Sequence, residues 1–198
     1  VPSKLLKGLR NLGLSPKDID AVILTHLHFD HSGGCTRLDR IGSIVPTFPK
    51  AKYYVQSQAW SDASSPNERC GKMHRQEDFS PIDEKGQLEV IDGDAELFPG
   101  LWVKLTNGHT RGHQVVLFNH GGERIAYLGD LVPTHHHLNL GAISAFDAFP
   151  EETLEMKREF LSYAEKAGWL LIFSHGHEQK AGYLENWNGK TLLRPVEI

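Results

Sequence analysis

The stretch Thr25-His26-Leu27-His28-Phe29-Asp30-His31-Ser32-Gly33-Gly34 sets four metal-ligating side chains within six residues. It follows the apolar run Ala21-Val22-Ile23-Leu24, short and β-branched enough to read as a buried strand. The histidines therefore fall where a strand gives way to a loop, and Gly33-Gly34 give the backbone turning freedom ahead of a helix. A tight loop of this kind can turn His26 and His28 toward one point and Asp30 and His31 toward a second. Imidazole and carboxylate together suit zinc, iron or manganese. A polar loop rich in histidine by chance is the competing reading, and the density of H-x-H-x-D-H weighs against it.

Upstream, Leu5, Leu6, Leu9 and Leu12 recur at helical spacing over residues 3–12, and Gly13 is a fitting stop. Downstream, 35–40 reads as a short helix, Pro46 and Pro49 bracket a loop, and 51–55 reads as a strand. Residues 57–83 are polar and rich in breakers, so helical pieces over an active face are expected there, with a solvated connection as the alternative. Strands are expected at 88–91, 101–105, 114–118 and 125–128, separated by turn residues such as Gly121-Gly122. That spacing fits a mostly antiparallel meander. Pro150 opens a long helix with Glu151 and Glu152 in its first turn, where the macrodipole favours acids. Leu154, Met156, Phe160, Leu161, Tyr163, Ala164 and Ala167 give it a broad apolar face before Gly168 ends it, so it must pack on a sheet. The run 170–173 reads as the last core strand, and His175 sits just beyond it.

At 198 residues, 39% apolar and 23% charged, the chain suits a single domain spanning 1–198 with a sizeable core. A net charge of -4 lacks the basic footprint of a nucleic-acid binder. No apolar run approaches a membrane span and no secretory leader is visible. Cys35 and Cys70 show neither metal-ligand nor disulfide spacing, so a reducing, cytoplasmic location is expected.

The motif T-H-x-H-x-D-H-x-G-G resembles the signature of the metallo-β-lactamase-fold hydrolases. Further pieces follow in the family's order: Gly108-His109-Thr110-Arg111-Gly112-His113, then Tyr127-Leu128-Gly129-Asp130, then Phe173-Ser174-His175. The resemblance runs from Leu12 to His177. It implies an α+β fold, a four-layer αββα sandwich in which several strand ends converge on one edge. The ligand motif arrives only 25 residues after Val1, so the chain is expected to lack N-terminal strands of the first sheet. The resemblance also implies that His26, His28 and His109 hold one metal, that Asp30, His31 and His175 hold a second, and that Asp130 bridges them. Two zinc ions are the implied cofactors, with iron or manganese as substitutes. His113 then becomes an outer residue orienting a ligand loop. His135, in the run His135-His136-His137 just past Asp130, and His177, just past His175, are candidates for substrate contact or an outer hydrogen bond. The competing reading is an exposed loop. His74 and His120 read as surface residues.

Two metals sharing an aspartate and a water make a bridging hydroxide available at neutral pH, and Asp30 is the catalytic candidate that orients it or takes its proton. The implied reaction is hydrolysis of a lactone, ester or related bond in a small-molecule substrate. Lactonase-like members resemble the chain in T-H-L-H-F-D-H and G-H-T-x-G-H-Q, but they place a tyrosine where Pro133 and Thr134 stand. The segment from Gly129 to Asp147 also resembles the organophosphate-hydrolysing branch. A glyoxalase II-like thioesterase, a mononuclear iron persulfide-dioxygenase-like enzyme and a non-catalytic member are the alternatives. An exposed edge left by missing strands would allow a homodimer. No nucleic-acid or membrane partner is expected.

Overall fold

The computed structural model describes residues 3–188 and 190–197 in two compact units that divide after Ile91. The first unit opens with α1 (Lys4–Asn11), whose first turn is closed by Leu6 N donating to Ser3 Oγ. Leu9 packs on the unit's core, whereas Leu5 and Leu12 are exposed. Strands β1 (Ala21–Ile23), β4 (Lys52–Gln56) and β5 (Leu88–Ile91) form a parallel sheet in the order β1-β4-β5, with Val22 opposite Tyr53 and Val55 opposite Val90. Parallel neighbours need crossovers; α3 (Ser57–Ser64) and α4 (Gln76–Glu84) supply the one between β4 and β5. Leu24, Leu27, Tyr53, Val55, Phe79 and Ile82 make the core.

Three expectations for this unit need correction. β1 is only half buried, because it ends the order of its own sheet. The helix expected at 35–40 is a hairpin of β2 (Thr36–Leu38) and β3 (Ile44–Pro46), and β3 also takes in the start of the expected loop. Asp39 organises its turn: Oδ1 accepts from both Ile41 N and Ser43 N at 2.9 Å, a local side-chain bond that competes with helix. The ligand-rich stretch itself winds into a helical turn, α2 (Phe29–Ser32).

In the second unit β6 (Ala95–Phe98), β7 (Leu101–Leu105), β8 (Gln114–His120), β9 (Glu123–Tyr127), β10 (Leu170–Ile172), β11 (Ala181–Trp187) and β12 (Lys190–Val196) form one sheet, ordered β12-β11-β10-β9-β8-β7-β6. Its pairs are antiparallel except β9 with β10, which run parallel with Tyr127 opposite Ile172. The crossover between them includes α5 (Pro150–Ala167), which ends on Gly168 in the left-handed region and packs against β11. Phe160, Leu161 and Ala164 of α5 join Val115, Leu128 and Leu171 in this unit's core. Tyr163 is exposed, and Thr153 and Lys157 take buried places on the helix instead.

The run 170–173 is not the last strand: β11 and β12 follow, and β6 also went unread. Gly182 blurs the apolar rhythm of β11 for a steric reason, since a Cβ there would lie 2.6 Å from Arg194 O on the neighbouring strand. Among the described residues no helix is long and apolar enough to cross a membrane.

Candidate metal centre

In the first unit the chain leaves β1 after Ile23 and bends at Thr25 before the motif. His26 and His28 come together there, with ring centroids 4.6 Å apart and both side chains buried. His28 then serves as the N-cap of α2, and its carbonyl accepts from His31 N and Ser32 N at 2.9 Å. The helical turn brings His31 back onto His26, centroid to centroid 4.2 Å. It also leaves Asp30 Oδ2 3.5 Å from His31 Nε2. Two outer bonds steady this set. Thr25 Oγ1 lies 3.1 Å from His26 Nδ1, and His74 Nδ1 lies 2.9 Å from Leu27 O. His74 is therefore no plain surface residue; its ring stands 5.3 Å from that of His28.

In the second unit the donors sit at strand ends. Asp130 and His175 each lie three positions beyond the paired residues Tyr127 and Ile172. Parallel register thus delivers both to the same end of the sheet. Asp130 is 12% exposed and faces a histidine on each side: Oδ2 is 3.4 Å from His109 Nε2, and Oδ1 is 3.3 Å from His175 Nε2. Asp130 is also fixed from behind. Its backbone N donates to His113 Nε2 at 3.0 Å, and Ser174 Oγ donates to Asp130 Oδ1 at 2.9 Å or to Gly129 O at 2.8 Å. As an acceptor at Nε2, a neutral His113 carries its proton on Nδ1, which lies 2.6 Å from Thr106 Oγ1. Thus His113 is engaged at both nitrogens.

His109 is held by Asp147, Nδ1 to Oδ1 2.7 Å, with both side chains 1% exposed. No local pattern in the sequence points to this contact across 38 positions. Ala148 N and Phe149 N bond His109 O and Gly108 O at 2.9 and 2.8 Å, so the segment entering α5 is tied along its length to the His109 loop. With Nδ1–H donating to Asp147, a neutral His109 turns the lone pair of Nε2 toward a carboxylate, and two electron-rich atoms 3.4 Å apart want a cation between them.

The distances test that cation. Two donors at ~2.0–2.1 Å from one tetrahedral zinc stand roughly 3.3 Å apart, longer than a good N–H···O hydrogen bond of ~2.9 Å. His109–Asp130, His175–Asp130 and Asp30–His31 all have the longer spacing. Asp130 presents one oxygen to each histidine. The donor chemistry and spacing fit divalent metal.

The remaining candidates lie outside these sets. His135, His136 and His137 form a short 3-10 turn, and His137 is turned to Thr134 Oγ1 at 2.9 Å. Burial, helped by the nearby Lys157 cation, holds the His137 pKa below the ordinary histidine value. His177 is exposed.

Residues 2–175 match the metallo-beta-lactamase superfamily. The N-acyl homoserine lactonase AttM of Rhizobium radiobacter is 25% identical over 182 residues, covering 88% of this chain and 65% of its own length. The N-acyl homoserine lactonase of Bacillus thuringiensis is 26% identical over 179 residues, with 89% and 64% covered. The chain thus spans less than two thirds of the length of these relatives. Among solved structures, a probable metal-dependent hydrolase from Staphylococcus aureus superposes with a TM-score of 0.86 at 27% identity, covering 100% of this chain and 70% of that one. With the family pattern running through most of its length and the fold shared from end to end, the chain belongs to the metallo-beta-lactamase superfamily and has its α+β fold.

Proposed function

We propose that the chain is a metal-dependent hydrolase that opens lactones or closely related esters, and that it holds two divalent ions, zinc in the native protein. One observation carries the binuclear reading: Asp130 turns one carboxylate oxygen to His109 and the other to His175, each at a spacing for two donors of a common ion. The family resemblance assigns His26, His28 and His109 to one ion, Asp30, His31 and His175 to the other, and Asp130 to both. Bound divalent ions supply Lewis acidity at a carbonyl oxygen and acidify water at neutral pH.

The chain's own groups do the rest. Asp147 fixes the His109 ring and its tautomer and makes Nε2 a better donor. His113 and Ser174 hold Asp130 by its backbone and its carboxylate, so its two oxygens need no rearrangement. The Asp30 side chain, 38% exposed beside His31, is the acid–base group that can reach a substrate and take a proton. His175, 41% exposed, marks the accessible side of the second unit's donors. The lactone class is supported by the relatives, whose names make them N-acyl homoserine lactonases.

The test uses tag-free protein and counts the ions kept after exhaustive dialysis against metal-free buffer. Proton release from N-acyl homoserine lactones is then followed beside thioesters and phosphotriesters. Two ions retained and lactone opening are expected, with Asp130→Asn slowing hydrolysis by about a hundredfold or more. One ion retained after the same dialysis of zinc-saturated protein refutes the binuclear reading. Fully loaded protein that opens no lactone refutes the substrate class.

A further inference from the structure

A second group of ligating side chains lies outside the donors above. His135 and His136, at the start of the 3-10 turn that follows Asp130, converge with Glu178, on the turn that follows His175. One donor atom from each lies within 4.8 Å of the others. The two imidazoles sit with ring centroids 3.8 Å apart at 40°, close enough to serve one ion from adjacent positions. His137, engaged with Thr134, is not part of the group.

The two loops are braced before any ion arrives, which sets this group apart from a chance meeting of surface chains. His175 N donates to Pro133 O at 2.9 Å, and Ser174 Oγ to Gly129 O at 2.8 Å, so the loops are stapled just before the cluster. The turn bearing Glu178 is tight: a Cβ on Gly176 would fall 2.4 Å from Gln179 O. On the other side, His137 N bonds Thr134 O at 2.9 Å and sets the 3-10 turn. Little backbone freedom remains to be lost on ligation. Two imidazoles and one carboxylate, with further positions open to water, suit a borderline divalent ion such as zinc, nickel or copper and discriminate against calcium and magnesium. His136 and Glu178 are exposed and His135 is half buried, so an ion can enter without the fold opening.

We propose that His135, His136 and Glu178 form an outer zinc-class metal site, which clasps the loop after Asp130 to the loop after His175. The proposal is independent of the hydrolase reading. The clasp lies five residues past Asp130 and three past His175, so its occupancy stiffens both of those loops at once. It would bind more weakly than a closed four-ligand site, since solvent completes the coordination.

The experiment is equilibrium dialysis of the full, tag-free chain against micromolar zinc, with wild type, His136→Ala and Glu178→Gln in parallel. Both substituted residues are exposed, so folding is preserved. Wild type should take up one ion more than either variant, whereas the ions kept after exhaustive dialysis against metal-free buffer should be equal in all three. Wild type should also show a zinc-dependent rise in melting temperature in this concentration range, and that rise should be reduced in both variants. Equal uptake by wild type and both variants overturns the site. A loss in His136→Ala with none in Glu178→Gln overturns the three-donor set.

Discussion

Replacing Asp147 by Ala removes the carboxylate that meets His109 Nδ1 at 2.7 Å, with both side chains 1% exposed. No water can easily take its place at that burial. A hydrogen bond to a charged acceptor contributes ~1.5–3 kcal/mol, and ~1.4 kcal/mol is a factor of ten in affinity. On the ligation proposed above, the metal at His109 should therefore be held about 10- to 100-fold more weakly, the range found when outer partners of ligating histidines are removed. Asp147→Asn keeps an acceptor but loses the charge, and should lie at or below the lower end of that range. Titration against a chromophoric zinc chelator reads the affinity, and thermal melts of the metal-free proteins separate it from stability. Should metal-free Asp147→Ala melt lower yet bind zinc as wild type does, Asp147 only braces the fold and the positioning role is wrong.

Gly108 has φ of 78°, and a Cβ there would meet Thr153 Oγ1, N and Cα at 2.5 to 2.8 Å; Gly108→Ala should lose about 2 kcal/mol or more in urea unfolding and weaken zinc binding through His109. Lys157 donates to Asn139 O and Ala142 O from a fully buried position, and Asn139 O also accepts from Ala142 N, so Lys157→Met should take the charged donor from both carbonyls and cost about 1–3 kcal/mol in the same assay. Asp78 is 8% exposed, with Oδ2 lacking a hydrogen-bond partner among the described residues, and burial raises its pKa above 3.8 against a smaller lowering by Arg75. The folded form then keeps the proton more than the unfolded one, so stability falls as pH rises through the window above 3.8. Asp78→Asn should melt higher than wild type near neutral pH and lose that advantage below pH 3.8; a neutral-pH melt at or below wild type refutes this.

What the sequence disclosed follows the reach of its signals. α5 was legible because Pro150, two first-turn acids and Gly168 each mark an end, and its apolar face spans about four turns. Even there the period named Tyr163 as core and passed over Lys157, whose ammonium is buried only because two loop carbonyls receive it. The histidine motif was legible as a cluster, but not as the helical turn α2, since four residues are too few for a period. β11 and β12 are hard to read because Gly182, the polar run Glu185-Asn186 and Pro195 interrupt their alternation. Asp147 and His74 act across 38 and 47 positions, on His109 and on Leu27 O. No spacing rule spans such distances; only the fold connects them.

The parallel pairing of β9 with β10 has a consequence for how such a chain can change. Asp130 and His175 are neighbours by register, each the third residue past a matched pair, and the 45 positions of chain between them do not enter that relation. Residues could be gained or lost ahead of Asp147 without moving either carboxylate oxygen or imidazole, provided the tether still closes. Selection can therefore rework the surroundings of the donors through loop length while the donors stay in place. In this arrangement the placing of the donors and the make-up of what surrounds them are written in separate stretches of chain.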